Sequence, residues 1–340
     1  MGNTKFLWNQ LFIAIMLAIF IFLSCSDLKK ESAKQVKIPE PEYFLTKDQT
    51  HNKFSATIPP VLTVPSGAVI EAMTEEASDE QIKIGSSIDD LTSMKSDLIH
   101  PLTGPVYVEG AEPGDILAVT LHKIEIGDWG WVAVVPGFGL LADEFTEPYL
   151  KTYQLGKDAK VVNFSDKINI PLKPFPGVVG VAPATDFLLS TIPPRANGGN
   201  MDNPYFTEGT TVYFPVFVEG ALFSLGDAHA VQGMGEVCGT AIEAPMRIVY
   251  EVNIIKGKRK IEEPQYETDD YYAVTAFATT LDEAAKKAVR YMIDYLEAEY
   301  GLDRTEAYVL CSLAGDLKIA EVVDVPHVLV AMHISKKVLE

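Results

Sequence analysis

At 340 residues the chain is long enough for one large domain or two to three packed subdomains, and its 47% hydrophobic content is ordinary for a folded protein. Acidic residues outnumber basic ones 47 to 28, a formal net charge of -19. A surface of that sign repels phosphate backbones, which excludes nucleic acid as an expected partner, and it is indifferent to a neutral substrate.

The first 25 residues read as a targeting segment. Lys5 supplies a positive start, and Leu11–Leu23, LFIAIMLAIFIFL, is an apolar run suited to a signal peptide. It is short of the roughly 20 residues that a membrane-spanning helix needs. It ends in Leu23-Ser24-Cys25, and a small residue directly before Cys resembles a bacterial lipobox, although Phe22 stands where Leu is usual. The expectation is a signal peptide over 1–24, cleavage before Cys25 and a lipid on that cysteine. An uncleaved anchor and plain secretion are the alternatives. The lipid-anchored form belongs in the bacterial cell envelope and touches the membrane through its lipid only. Ser26 rather than Asp follows the cysteine, so inner-membrane retention is not signalled and the outer membrane is left open as the destination. Residues 25–50 are polar, contain Pro39-Glu40-Pro41 and lack apolar periodicity, so they read as a tether.

From His51 onward, short apolar or alternating runs recur between Pro and Gly. They include Pro60–Val64, Val106–Val108, Ile116–Leu121, Thr211–Val218 and Met246–Val252. These are strand signals of sandwich or barrel type rather than βαβ units. One helix is clear: Thr280-Leu-Asp-Glu283 is a capping box, Ala284, Ala288, Met292 and Leu296 follow at i+4 steps, and Gly301 stands where a C-cap belongs. A second helix is expected over Thr305–Leu313, then strands near Lys318–Val323 and His327–Ile334. The fold class is therefore mainly β with a smaller α+β region. One domain is expected over 51–335, with a β-rich body to about 260 and an α+β end from about 265. Cys238 and Cys311 are too few for a disulfide framework; buried thiols are the expectation and a bond between the two is the alternative.

Polar residues with chemical potential cluster in three Gly/Pro-rich segments: His100–Asp115, Gly198–Asp202 and Gly226–Glu243. In the third, Asp227 and His229 are two apart and share one face of an extended strand. A carboxylate and an imidazole so placed suit a zinc-like ion, or a carboxylate that orients a histidine. Gln232-Gly-Met-Gly then turns the chain, and a return strand from Glu236 would carry Glu243 back toward Asp227. A plain hairpin with solvated carboxylates is the alternative. In the second segment, paired glycines precede Asn200 and Asp202, and Asn200 suits donation to an oxyanion; a simple loop is the alternative. His100 stands alone before Pro and is as easily structural.

Five stretches together resemble the acetamidase/formamidase family. They are HPLTGPVYVEGAEPGD from His100, GDWGWVAVVPGFGLLADEF from Gly127, GGNMD from Gly198, GDAHAVQGMGEVCGTAIE from Gly226 and AYVLCSLAGDLKIAEVVD from Ala307. The resemblance implies jelly-roll-like and barrel-like β parts with an α+β end, hydrolysis of short aliphatic amides of the formamide and acetamide type, and zinc or calcium at acidic and histidine positions. Carried over by motif, the site residues are His100, Asn200, Asp202, Asp227, His229, Gln232, Glu236 and Glu243. Water activated by a metal is the expected nucleophile, with Asp227, His229 and Asp202 as ligands and His100 next. Glu243 or Glu236 would move the proton, and Asn200 or Gln232 would bind the oxyanion. One departure stands out: the family's usual Gln-Gly-Asp-Gly-Glu reads Gln232-Gly-Met-Gly-Glu236, and a thioether does not replace a carboxylate for a hard cation. A Cys238 thiol amidase and a small-ligand binder without turnover are alternatives. Gly85-Ser86-Ser87 is only a fragment of the serine amidase signature. Whether the chain forms a homo-oligomer is left open.

Overall fold

Two twisted sheets meet through a layer of aromatic side chains. A computed structural model describes residues 38–156, 158–257 and 260–340. The signal segment and the Cys25 lipobox lie outside the described residues. Among those described, the largest sheet has nine strands. Their order is Tyr43–Leu45, Ala68–Thr74, Met246–Ile255, Ile116–Ile126, Thr211–Pro215, Gln265–Glu267, Tyr271–Ala278, Val328–Ser335 and Gly315–Glu321. A second sheet runs Gly198–Asn200, Phe175–Gly180, Phe223–His229, Leu102–Val108 and Thr50–His51, with Leu62–Val64 also paired to Leu102–Val108. Both sheets are open at their edges, so no closed barrel forms among the described residues.

Periodicity explains the contact between them. Along Met246–Ile255, Met246, Ile248, Tyr250 and Val252 are buried at alternate positions. Phe223 of the second sheet packs against Tyr250 and Phe214 of the first, with ring centroids 5.5 and 5.7 Å away. All three rings are buried, and burying one such side chain contributes about 1.5–3 kcal/mol.

Each strand expected from the alternating runs is present. The fold begins earlier than residue 51, however. Tyr43–Leu45 pairs in parallel with Ile70–Ala72, and Leu45 is buried, so the apolar pair Phe44-Leu45 ends the tether sooner than its polar composition indicated. The α+β end is likewise continuous with the body, because its strands extend the nine-stranded sheet. Leu281–Tyr300 is the expected helix. Thr280 accepts from the Glu283 amide, Gly301 closes it at φ 68°, and Ala284, Ala288, Met292 and Leu296 are buried against Val274, Val330 and Met332. The second helix spans Arg304–Ala314, capped by Asp303. Ser87 caps the short helix Ile88–Thr92, which accounts for the Gly-Ser-Ser sequence without any catalytic role.

Candidate active site

The strand Phe223–His229 ends at the functional cluster. Asp227 and His229 both reach a cavity of about 220 Å³, as their spacing predicts. The return from Gln232 is not the regular strand expected. Gly233–Glu236 makes a turn, and Gly235 bridges instead to Glu321 near the C-terminus. Only at Glu243 does the segment rejoin His229, as an isolated antiparallel bridge flanked by Ala230 N–H to Ile242 O at 2.8 Å and Ala244 N–H to Ala228 O at 2.9 Å. Glycines at 233, 235 and 239 leave no alternation to sustain a strand.

Asn200, Asp202, Asp227, His229, Glu236 and Glu243 all line this cavity and are buried; His100 joins them at its half-buried edge. His229 Nε2 lies 3.1 Å from Glu243 Oε2 and 3.7 Å from Asp227 Oδ1. His100 Nε2 is 3.8 Å from Asp227 Oδ2. On the far side of the His229 ring, Nδ1 is 2.7 Å from Gln232 Oε1 and 3.7 Å from Asp202 Oδ1. Gln232 Nε2 donates to the Asp202 carbonyl at 2.8 Å. Both ends of the Gln232 amide are thus engaged, and it lies off the cavity wall. It holds the His229 ring and does not serve as the expected oxyanion donor. With Nδ1 engaged by Gln232, Nε2 is the ring atom that faces Asp227 and Glu243.

The backbone is strained where the chemistry is densest. His100, Asp202, Asp227 and Glu236 have φ of 56°, 37°, 47° and 46°, in the left-handed region that a side chain disfavours. Such conformations persist only where the surroundings over-determine them, and they cluster at functional sites. Gly177 forms the floor opposite. A Cβ there would sit 2.5 Å from Asp202 Oδ1, 2.7 Å from Asp227 O and 2.8 Å from His229 Cε1, so no other residue fits without moving the site.

Charge is badly balanced. Asp324 also lines the cavity, with Glu321 buried behind it, yet no Lys or Arg does among the described residues. Burial pushes Glu243 up to about 7, with Asp227 adding and His229 opposing. Burial, then the Asp202 charge, raises Glu236 and Asp324 well above the carboxylate range. Glu321 rises to about 8 for the first reason. Asp227 alone goes the other way: despite its burial, His100 and His229 hold it at about 2. Burial also opposes charge on His229, but Glu243 and Asp227 outweigh it and raise the ring well above its usual range.

Sequence reasoning missed Asp324, Glu321, Gly177 and Trp131. The first two stand in the stretch from Ala307, where the last residues of AYVLCSLAGDLKIAEVVD were a readable signal. Trp131 was visible in the second stretch as a tryptophan amid a strand. Cys238 turns away: its Sγ donates to Thr240 O at 3.3 Å and it lines a neighbouring cavity, so it does not face the cluster as a nucleophile would. It is half-buried rather than fully buried, while Cys311 is a buried thiol as expected.

A profile of the Acetamidase/Formamidase family matches residues 40–191 and 189–340. The chain belongs to that family. An acetamidase of Mycolicibacterium smegmatis is 30% identical over 269 residues, 61% of this chain and 66% of that protein. A formamidase of Methylophilus methylotrophus is 25% identical, covering 86% of this chain and 90% of the relative. Among solved structures, a predicted acetamidase/formamidase from the thermophile Thermoanaerobacter tengcongensis superposes with a TM-score of 0.82 at 35% identity, covering 87% and 96% of the two chains. The fold and the family are those of amide hydrolases. Within this family frame Met234 is the visible exception, and its position makes the exception mild. It is 38% exposed and lines the neighbouring cavity of about 230 Å³, not the one that holds His229.

Proposed function

We propose that the chain hydrolyses the C–N bond of a small amide to a carboxylate and ammonia, with a divalent cation, zinc or calcium, held by Asp227, His229 and Glu243. The observation that carries this reading is the buried excess of carboxylates around His229, with no Lys or Arg on the described cavity wall. Their ligand atoms lie within 4.8 Å of one another. Glu243 Oε2 and both Asp202 carboxylate oxygens are buried without a hydrogen-bond donor, a costly state that a cation relieves. The nitrogen and oxygen donor set suits zinc, and the many carboxylates leave calcium open. When bound, such a cation supplies the charge that polarises a carbonyl and acidifies water.

The chain's own residues supply the rest. Gln232 fixes the His229 ring so that Nε2 faces inward. Glu236, which burial and then the Asp202 charge raise well above the carboxylate range, lines the same cavity and would carry a proton from the attacking water to the departing nitrogen. Asn200 lines the cavity with its side-chain amide and would donate to the oxygen as negative charge develops. Ammonia release from short amides, measured before and after chelation and on adding back zinc or calcium, tests the reading. Full turnover by metal-free protein would defeat the cation's role.

We further propose that the mature chain begins at an acylated Cys25 and is held in the bacterial cell envelope by that lipid. The support is the apolar run Leu11–Leu23 ending in Ser24-Cys25. Mass spectrometry of the mature N-terminus decides: Cys25→Ala should leave the chain unprocessed, and an unmodified start elsewhere overturns the proposal.

A further inference from the structure

The cavity has two unlike ends. Its depth is polar and buried, formed by the carboxylates around His229. Its other wall is apolar, formed by Met94, Ile99, Trp131, Val135, Phe138 and Ile192. Trp131 is 2% exposed, and its indole Nε1–H is turned away to donate to Glu76 Oε2 at 2.6 Å. Glu76 is itself fully buried and accepts also from Ser78 N at 2.8 Å, Ser78 Oγ at 2.6 Å and Glu80 N at 2.7 Å. With its one polar atom occupied behind the wall, the indole offers the cavity carbon alone. A separate cluster of Ala77, Ile82, Leu91 and Ala133 backs it. The same residue fixes the polar end, since Trp131 and Glu243 exchange backbone hydrogen bonds of 2.9 and 2.8 Å. Apolar wall and polar depth are therefore held in one rigid relation.

Size decides what such a cavity takes. An apolar cavity of about 150 Å³ takes one benzene, so about 220 Å³ is room for roughly nine non-hydrogen atoms, three of them the amide's own. Formamide has three and acetamide four. Either would leave the apolar wall facing trapped water, a loss of the stabilisation that burying those side chains against carbon would give.

We propose that the preferred substrate is a primary amide whose acyl group carries an apolar chain or ring of roughly four to six carbons, seated against Trp131, Ile99, Phe138 and Ile192 with its amide at the His229 end. This rests on the amidase reading above and narrows its substrate class. The reaction is unchanged: water oxygen bonds to the acyl carbon, the C–N bond breaks, and nitrogen leaves protonated as ammonia.

The test is ammonia release by the full chain, supplied with zinc or calcium, from formamide, acetamide, butyramide, pentanamide, hexanamide and benzamide. The expected kcat/KM rises about fourfold per methylene from acetamide until the cavity is filled. Ile192→Trp, which fills the apolar end, should lower the hexanamide-to-acetamide ratio of kcat/KM about tenfold or more. A series that peaks at formamide or acetamide overturns this inference and leaves the amidase reading intact. A ratio unmoved in Ile192→Trp places the chain elsewhere and overturns it too. No ammonia from any of the six overturns both.

Discussion

His229 and Glu243 meet twice, once through their backbones as an antiparallel bridge and once through their side chains at 3.1 Å. The imidazole is therefore held from below by the sheet and from behind by Gln232, whose other end is tied to the Asp202 carbonyl. Gln232→Ala should weaken cation affinity about 10–100-fold without removing a ligand. Metal titration against a competing chelator measures it, and an unchanged affinity would show that the ring does not depend on this support.

Gly177 lies opposite the same ring. Gly177→Ala places a methyl carbon within 2.8 Å of three site residues, so the site must shift or the strand must bow. A misplacement of about 1 Å in a reacting constellation costs up to about 100-fold. A loss of that order in kcat/KM, with the fold retained by circular dichroism, is expected. Retained activity would mean that the floor is softer than its packing indicates.

Met234 sits outside the cavity that holds His229. Met234→Asp should accordingly change kcat/KM on short amides by less than about threefold and stability by about 0.5 kcal/mol or less, as for other partly exposed positions. A large gain in activity would show that the turn rearranges to bring a carboxylate inward.

His333 predicts how acid unfolds the chain. It is 1% exposed, shares a hydrogen bond with the Tyr266 hydroxyl and is held down at about 3 by burial and by Lys318 and Lys173. The folded state thus keeps the ring neutral while the unfolded chain protonates near pH 6.5. This contribution is fully present above pH 6.5 and is lost as pH falls toward 3, at about 1.4 kcal/mol per pH unit. Urea unfolding between pH 6.5 and 4.5 should show a shallower pH slope in His333→Gln than in the native chain. Equal slopes would assign the acid sensitivity elsewhere.

How much was legible follows the range of each signal. The helix at Leu281–Tyr300 carries its caps and its buried stripe within one stretch of chain, and the strand at Met246–Ile255 carries its alternation, so both were readable. Asp227 and His229 were readable because a two-residue spacing fixes a shared face. The engagement of Gln232 was not, since its partners depend on the fold of Asp202, thirty positions away. Gly177 reaches the site only through sheet pairing, and no local pattern marks that. Phe44 and Leu45 were hidden inside a polar composition although they begin the nine-stranded sheet.

The bridge from Gly235 to Glu321 has a consequence for how the protein comes into being. Wall residues of the candidate cavity run from Ala77 to Asp324, so the cavity cannot close until the chain has been made past Asp324. A ribosome-bound chain lacking its final stretch would present Asp202, Asp227 and Glu236 as exposed acids with nothing to enclose them. On the amidase reading, activity is therefore acquired all at once. A single nick between residues 300 and 320 that lets the C-terminal piece leave should abolish turnover while most of the sheet stays folded.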